Sequence, residues 1–105
     1  MPFMNVQDTN CVLYPIHLPV AYETDSRDRA GQGQTLALSS RIVRFSTDQN
    51  LRVGQRIRME LAWPAPLEDG TNLNLWMFGT VVRSARVEVE VRITAYEFHT
   101  RRRAD

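Results

Sequence analysis

Residues 56–63 read RIRMELAW, and this stretch decides the fold class. Apolar side chains stand at every second position: Ile57, Met59, Leu61 and Trp63. A period of two puts one set of side chains on each face of a β-strand, and it does not match the 3.6-residue period of a helix. The stretch therefore predicts a strand with an inward apolar face, ended by Pro64 and Pro66, which cannot donate to a ladder.

The same alternation recurs along most of the chain. Residues 17–23 place Leu18, Val20 and Tyr22 on one face, and residues 35–45 (TLALSSRIVRF) read as two strands joined by a polar kink without Gly or Asn. Residues 72–84 predict a long strand in which Gly79 permits a bulge or a close approach. Apolar residues alternate again from Val87 to Ile93, ahead of Tyr96 and Phe98. Residues 24–34 (TDSRDRAGQGQ) are polar, contain two glycines and predict an exposed loop.

About six strands and no amphipathic helix predict an all-β, antiparallel protein. So short a chain would leave long unpaired edges in one open sheet, and closure removes them. We therefore expect a small closed six-stranded antiparallel β-barrel at residues 13–100, preceded by an N-terminal arm at residues 1–12 and followed by a basic tail at residues 101–105.

The composition excludes several functional classes. The 105 residues suit one domain, and no apolar run approaches the roughly 20 residues of a membrane helix, so we expect no membrane span. No signal-peptide pattern occurs in the chain, which favours a cytoplasmic protein. The single Cys11 has no metal-ligand spacing, and no nucleophile, paired carboxylates or phosphate loop suggests an enzyme, a metal or a cofactor. The net charge of +1 disfavours general nucleic-acid binding, although all 13 basic residues are arginine.

The order of these features resembles the PilZ domain family. Residues 14–20 (YPIHLPV) resemble the first strand of that family, and residues 35–45 resemble the strand that carries its D/N-x-S-x-x-G motif. Residues 51–61 (LRVGQRIRMEL) and 78–83 (FGTVVR) resemble two later strands. The resemblance implies a six-stranded barrel and a bacterial signalling role as a receptor for cyclic di-GMP, bound by that motif and by an R-x-x-x-R segment ahead of the first strand.

The residues that the resemblance assigns to the ligand are mostly replaced. The turn motif falls on residues 37–42 (ALSSRI), where only Ser39 matches the family pattern. Ala37 and Ile42 replace the acidic or amide residue and the glycine, and no arginine precedes Arg27. Guanidinium groups bind phosphates and guanine edges through paired donors, so their absence predicts weak binding of cyclic di-GMP or none.

Three functions remain open. The first is a PilZ-like module that docks a protein, or a second copy of itself, through an outward apolar surface made by Trp76, Phe78 and Val82. The second is a cyclic di-GMP receptor that uses non-standard ligand-binding residues near the turn: Ser39, Arg41, Arg44, Arg27 and Arg29. The third is a barrel that binds single-stranded nucleic acid by aromatic stacking, which the low net charge disfavours.

Overall fold

The protein is a closed barrel of six antiparallel strands, so the predicted fold class is confirmed. The computed structural model describes residues 12–25 and 30–101. Its strands are β1 (Pro19–Thr24), β2 (Ala30–Leu38), β3 (Ile42–Ser46), β4 (Arg56–Trp63), β5 (Asn72–Ala85) and β6 (Glu88–Arg101). They follow the order β1, β2, β3, β6, β5, β4 around the barrel, and β4 pairs with β1 to close it.

Alternating side chains fill the barrel. In β4 the buried residues are Ile57, Met59 and Leu61, as the sequence predicts, while Trp63 is half-buried and packs against the edge of the core. Phe45 is fully buried on β3, and its ring lies 5.4 Å from the ring of Tyr22. The phenol of Tyr22 forms a buried hydrogen bond of 2.6 Å with the hydroxyl of Thr47, so its polar end has a partner inside the barrel.

Two details differ from the sequence predictions. Residues 30–34 belong to β2 rather than to a loop, and they pair with β1 from Pro19↔Gln34 to Glu23↔Ala30. Val87 does not continue the inward face of β6, because Arg86 and Val87 form the two-residue turn that joins β5 to β6. Arg86 has φ of 53°, which is the left-handed conformation that such tight hairpin turns require.

A bulge is present where Gly79 predicts one, and its extra residue, Thr94, lies on β6 opposite Gly79. The β5–β6 register shifts between Phe78 and Gly79, and a Cβ built at Gly79 would overlap the backbone carbonyl of Arg92. The two strands can approach this closely because glycine has no side chain.

Several predicted features lie outside the described residues. These are residues 1–11 of the arm, including Cys11, the loop arginines Arg27 and Arg29, and residues 102–105 of the basic tail.

Candidate functional site

The hydroxyl of Ser39 stabilises the turn between β2 and β3 through hydrogen bonds to the backbone. Ser39 Oγ accepts hydrogen bonds from the backbone N–H groups of Arg41 (3.1 Å) and Ile42 (3.0 Å). The N–H of Ser39 donates to the carbonyl of Ile42 at 2.8 Å. None of residues 39–42 has a positive φ, so the turn needs no glycine. The one residue that matches the family motif therefore stabilises the turn itself.

The chain before β1 crosses the same end of the barrel and is fixed to β2. Tyr14 and Leu38 exchange two backbone hydrogen bonds of 2.9 Å. Thr35, which is fully buried, accepts from the N–H of Leu18 at 2.8 Å and donates its hydroxyl proton to the carbonyl of Ile16. These bonds hold residues 14–18 beside the β2–β3 turn.

Residues 14–16, the β2–β3 turn and the ends of the longer strands surround a hollow, which we call the barrel mouth. The mouth has a volume of about 260 Å³. Its aromatic residues are Tyr14, Trp63, Tyr96 and Phe98. Its other lining residues are aliphatic side chains, Met77 and two serines, Ser39 and Ser40, and none of them carries a charge.

The aromatic side chains of the mouth are packed together but remain accessible. The ring of Phe98 lies 5.4 Å from that of Trp63 and 6.3 Å from that of Tyr96, and both contacts are edge-to-face. Tyr14, Tyr96 and Phe98 are 57%, 52% and 47% exposed. Edge-to-face packing orients the rings, while their exposure leaves a large apolar surface in contact with water.

Neither Arg41 nor Arg44, the two predicted ligand arginines in the described part of the chain, lines the mouth. Arg41 is exposed in the turn beside Ser39, and its carbonyl accepts a 2.7 Å hydrogen bond from Ile93, but Arg41 does not line the hollow. Arg44 alternates with the inward residues of β3 and therefore points to the outer wall. There it stands opposite Glu90, with Nε 3.5 Å from Oε1.

The predicted partner residues Trp76, Phe78 and Val82 lie on the outer wall of β5. Trp76 is half-buried, with the guanidinium of Arg58 5.1 Å from its ring centroid and the ring of His99 at 5.3 Å. Phe78 is also half-buried, whereas Val82 is 41% exposed. The exposed aromatic side chains of the described barrel lie instead at the mouth.

The aromatic residues of the mouth could not be identified from the sequence, because their exposure depends on the relative lengths of β3 and β6. β6 has 14 residues and β3 has five, and β3 pairs only with residues 88–92 of β6. Residues 94–101 therefore extend past β3. The sequence signal is a change of phase after Ile93, where the apolar positions move from odd numbers to the even-numbered Tyr96 and Phe98, but this change alone does not show that the neighbouring strand stops.

Neither a metal cluster nor a membrane-spanning helix is found among the described residues. Within residues 12–25 and 30–101, no group of three or more His, Cys, Asp and Glu side chains could hold a metal ion. The same part of the chain contains no helix long and apolar enough to cross a membrane.

Asp69 has its pKa lowered by hydrogen bonds from the side chain and the backbone N–H of Thr71, in the loop between β4 and β5.

Searches against protein-family models and curated proteins find no match to this chain.

Proposed function

We propose that this chain is a non-enzymatic, PilZ-like interaction module that docks a protein at the barrel mouth and does not use cyclic di-GMP. The PilZ resemblance rests on the order of the sequence features and supports a role in bacterial signalling. The proposal retains the docking function predicted from the sequence, but it moves the main contact surface from the outer wall of β5 to Tyr14, Tyr96 and Phe98.

The single observation that carries the proposal is the chemistry of the mouth beside the β2–β3 turn. Phosphate groups are bound by guanidinium or ammonium groups, or by clusters of free N–H donors. The residues that line the mouth are uncharged, and two of the N–H groups in the turn already donate to Ser39 Oγ. Such a surface favours apolar side chains over a dianionic dinucleotide.

Exposed aromatic side chains support a protein as the partner. Tyr, Trp and Phe are enriched at the centres of protein interfaces, where they bury large apolar areas. The mouth presents Tyr14, Tyr96 and Phe98 around the half-buried Trp63. The edge-to-face contacts of Phe98 with Trp63 and Tyr96 order these three rings before binding, which lowers the entropic cost of association.

A second candidate function is supported by the position of Arg41. This arginine is exposed in the turn that carries Ser39, and a receptor with non-standard residues would use it together with Arg44, Arg27 and Arg29. The third candidate, binding of single-stranded nucleic acid by stacking on the mouth aromatics, lacks a basic groove beside them, because the mouth lining is uncharged and the net charge is +1.

Calorimetric titration with cyclic di-GMP at physiological salt separates the first two candidates. We expect no binding heat from the wild-type chain, and binding in the micromolar range or tighter would contradict the proposal. If heat is observed, the second candidate requires Arg41→Ala or Arg44→Ala to abolish it. Arg52→Ala is the matched control, because Arg52 is an exposed arginine in the loop between β3 and β4, at the opposite end of β3 from the turn.

A further inference from the structure

The second half of β6 is an unpaired strand edge. Residues 72–78 of β5 pair with one side of residues 95–101, while β3 ends its pairing at Arg92. In the described part of the chain no strand pairs with the other side of residues 94–101. A strand edge of this kind presents free N–H and C=O groups and is a template for pairing with another chain.

The two faces of this edge differ in chemistry. Tyr96 and Phe98 stand opposite the buried residues Met77 and Leu75, so they belong to the inner face that opens at the mouth. Glu97 and His99 lie on the outer face, where His99 Nε2 is 2.8 Å from Glu97 Oε1. The strand edge therefore has an aromatic inner face and an outer face that carries a carboxylate and an imidazole, which can pair with each other.

We propose that this edge of β6 pairs antiparallel with the same edge of a second copy, about a twofold axis at Phe98, to form a homodimer. The inference rests on the proposed function, because it names the docked protein as another copy of this chain. Two mouths would then lie side by side on one face of a continuous sheet.

The register follows from symmetry and charge. A twofold axis perpendicular to the sheet leaves the inner faces of the two strands on the same side of the sheet. Residues that stand opposite each other must therefore both have even numbers or both have odd numbers. The unpaired stretch, residues 94–101, is centred between Glu97 and Phe98, which leaves an axis at either residue. An axis at Glu97 would set two carboxylates directly opposite each other, which is unfavourable.

An axis at Phe98 gives favourable side-chain pairs on both faces of the strand. Glu97 of each copy stands opposite His99 of the other, and the two Phe98 side chains meet on the inner face beside Tyr96. Residues 95–101 then form the whole intermolecular ladder, so that pairing does not compete with β3 for residues 88–92. The net charge of +1 adds little repulsion between two copies.

Disulfide trapping tests the register directly in the full-length chain. In a Cys11→Ser background, Phe98→Cys places two thiols opposite each other at a separation that a disulfide can span. Mild oxidation should convert this variant to a covalent dimer. Thr100→Cys is the matched control, because Thr100 lies on the same face but stands opposite Tyr96 of the other copy. Equal cross-linking of both variants, or of neither, would overturn the proposed register.

Charge exchange tests the dimer without changing Phe98. His99→Glu sets like charges opposite each other twice per dimer, and sedimentation equilibrium should show an association about tenfold weaker. The double variant Glu97→Arg/His99→Glu sets opposite charges at the same two positions and should bring the association constant to within about threefold of the wild-type value. A monomeric wild-type chain at about 100 µM, or equal association of the single and double variants, would refute the homodimer.

These outcomes are distinguishable from failure of the proposed function. A chain that neither dimerises nor binds cyclic di-GMP refutes the homodimer and leaves docking of a different protein in place. Binding of the dinucleotide refutes the proposed function whatever the association state of the chain.

Discussion

Thr35 and Ser39 show how two hydroxyl groups on β2 and its turn shape one end of the barrel. Thr35 joins residues 16–18 to β2 from a fully buried position, and Ser39 closes the adjoining turn. Both side chains bond to backbone groups that would otherwise lack partners. The mouth is therefore positioned by polar contacts, although its lining is mainly apolar.

Replacing Thr35 by valine should destabilise the fold by about 2 kcal/mol, because the N–H of Leu18 and the carbonyl of Ile16 lose their side-chain partner at a buried site. Urea unfolding measures the loss. Thr35→Ser keeps the hydroxyl and should cost about 1 kcal/mol or less, which reflects one lost methyl group. A valine variant as stable as the serine variant would show that the hydrogen bonds of the Thr35 hydroxyl to residues 16 and 18 do not stabilise the fold.

Ser39→Ala should destabilise the chain by about 1 kcal/mol, because two N–H groups in the turn lose their shared acceptor. Ser40→Ala is the matched control: Ser40 is exposed in the same turn, and its loss should change the unfolding free energy by less than about 0.5 kcal/mol. Equal effects in chemical denaturation would contradict the structural role of Ser39.

Asp69 should titrate in the folded protein with a pKa below its unfolded value, because the Thr71 side chain and N–H donate to its carboxylate. This contribution to stability is present above the unfolded pKa and is lost as the pH falls through the folded pKa. Thr71→Val removes the hydroxyl and should raise the pKa towards its ordinary value. NMR titration of the Asp69 carboxyl carbon measures the pKa in the wild-type chain and in the variant, and an unchanged pKa would contradict the assigned cause.

At the scale of the element, strand alternation was predictable and strand pairing was not. The bounds of β4 follow directly from RIRMELAW and its terminal prolines, because each strand face has its own polarity. Residues 30–34 look like a loop in sequence, yet they pair with β1. Their two glycines serve packing, since a Cβ at Gly33 would overlap the carbonyl of Ser46 on the neighbouring strand.

The position in β5 that faces the bulge of β6, Gly79, should be intolerant of any side chain. Gly79→Ala places a Cβ against the Arg92 carbonyl and the Val91 side chain, and we expect a loss of about 3 kcal/mol or failure to fold. Gly54→Ala is the control: Gly54 has φ of 99° but open space around it, so only about 1 kcal/mol of backbone strain is expected. Thermal or urea unfolding that gives equal losses would contradict the close approach of β5 and β6.

At the scale of the whole molecule, the closed barrel was predictable because one open sheet of six strands would leave two long unpaired edges. The candidate site was predictable only in part. Ser39 and Arg41 lie in one turn, where the sequence predicts a polar kink, but the aromatic mouth is assembled from Tyr14, β4 and β6. Residues 14, 63 and 98 meet only after the chain closes on itself, so no local pattern shows them together.

The most direct test of the apolar mouth as a docking site, in place of a nucleotide site, is the melting temperature of the wild-type chain with and without cyclic di-GMP. A ligand present at about 100 times its dissociation constant adds about 2.7 kcal/mol to the stability of the folded state. For a domain of this size, that would raise the melting temperature by roughly 10 °C. We expect no change at a ligand concentration that would saturate a micromolar site. A rise of that size would contradict the proposed function.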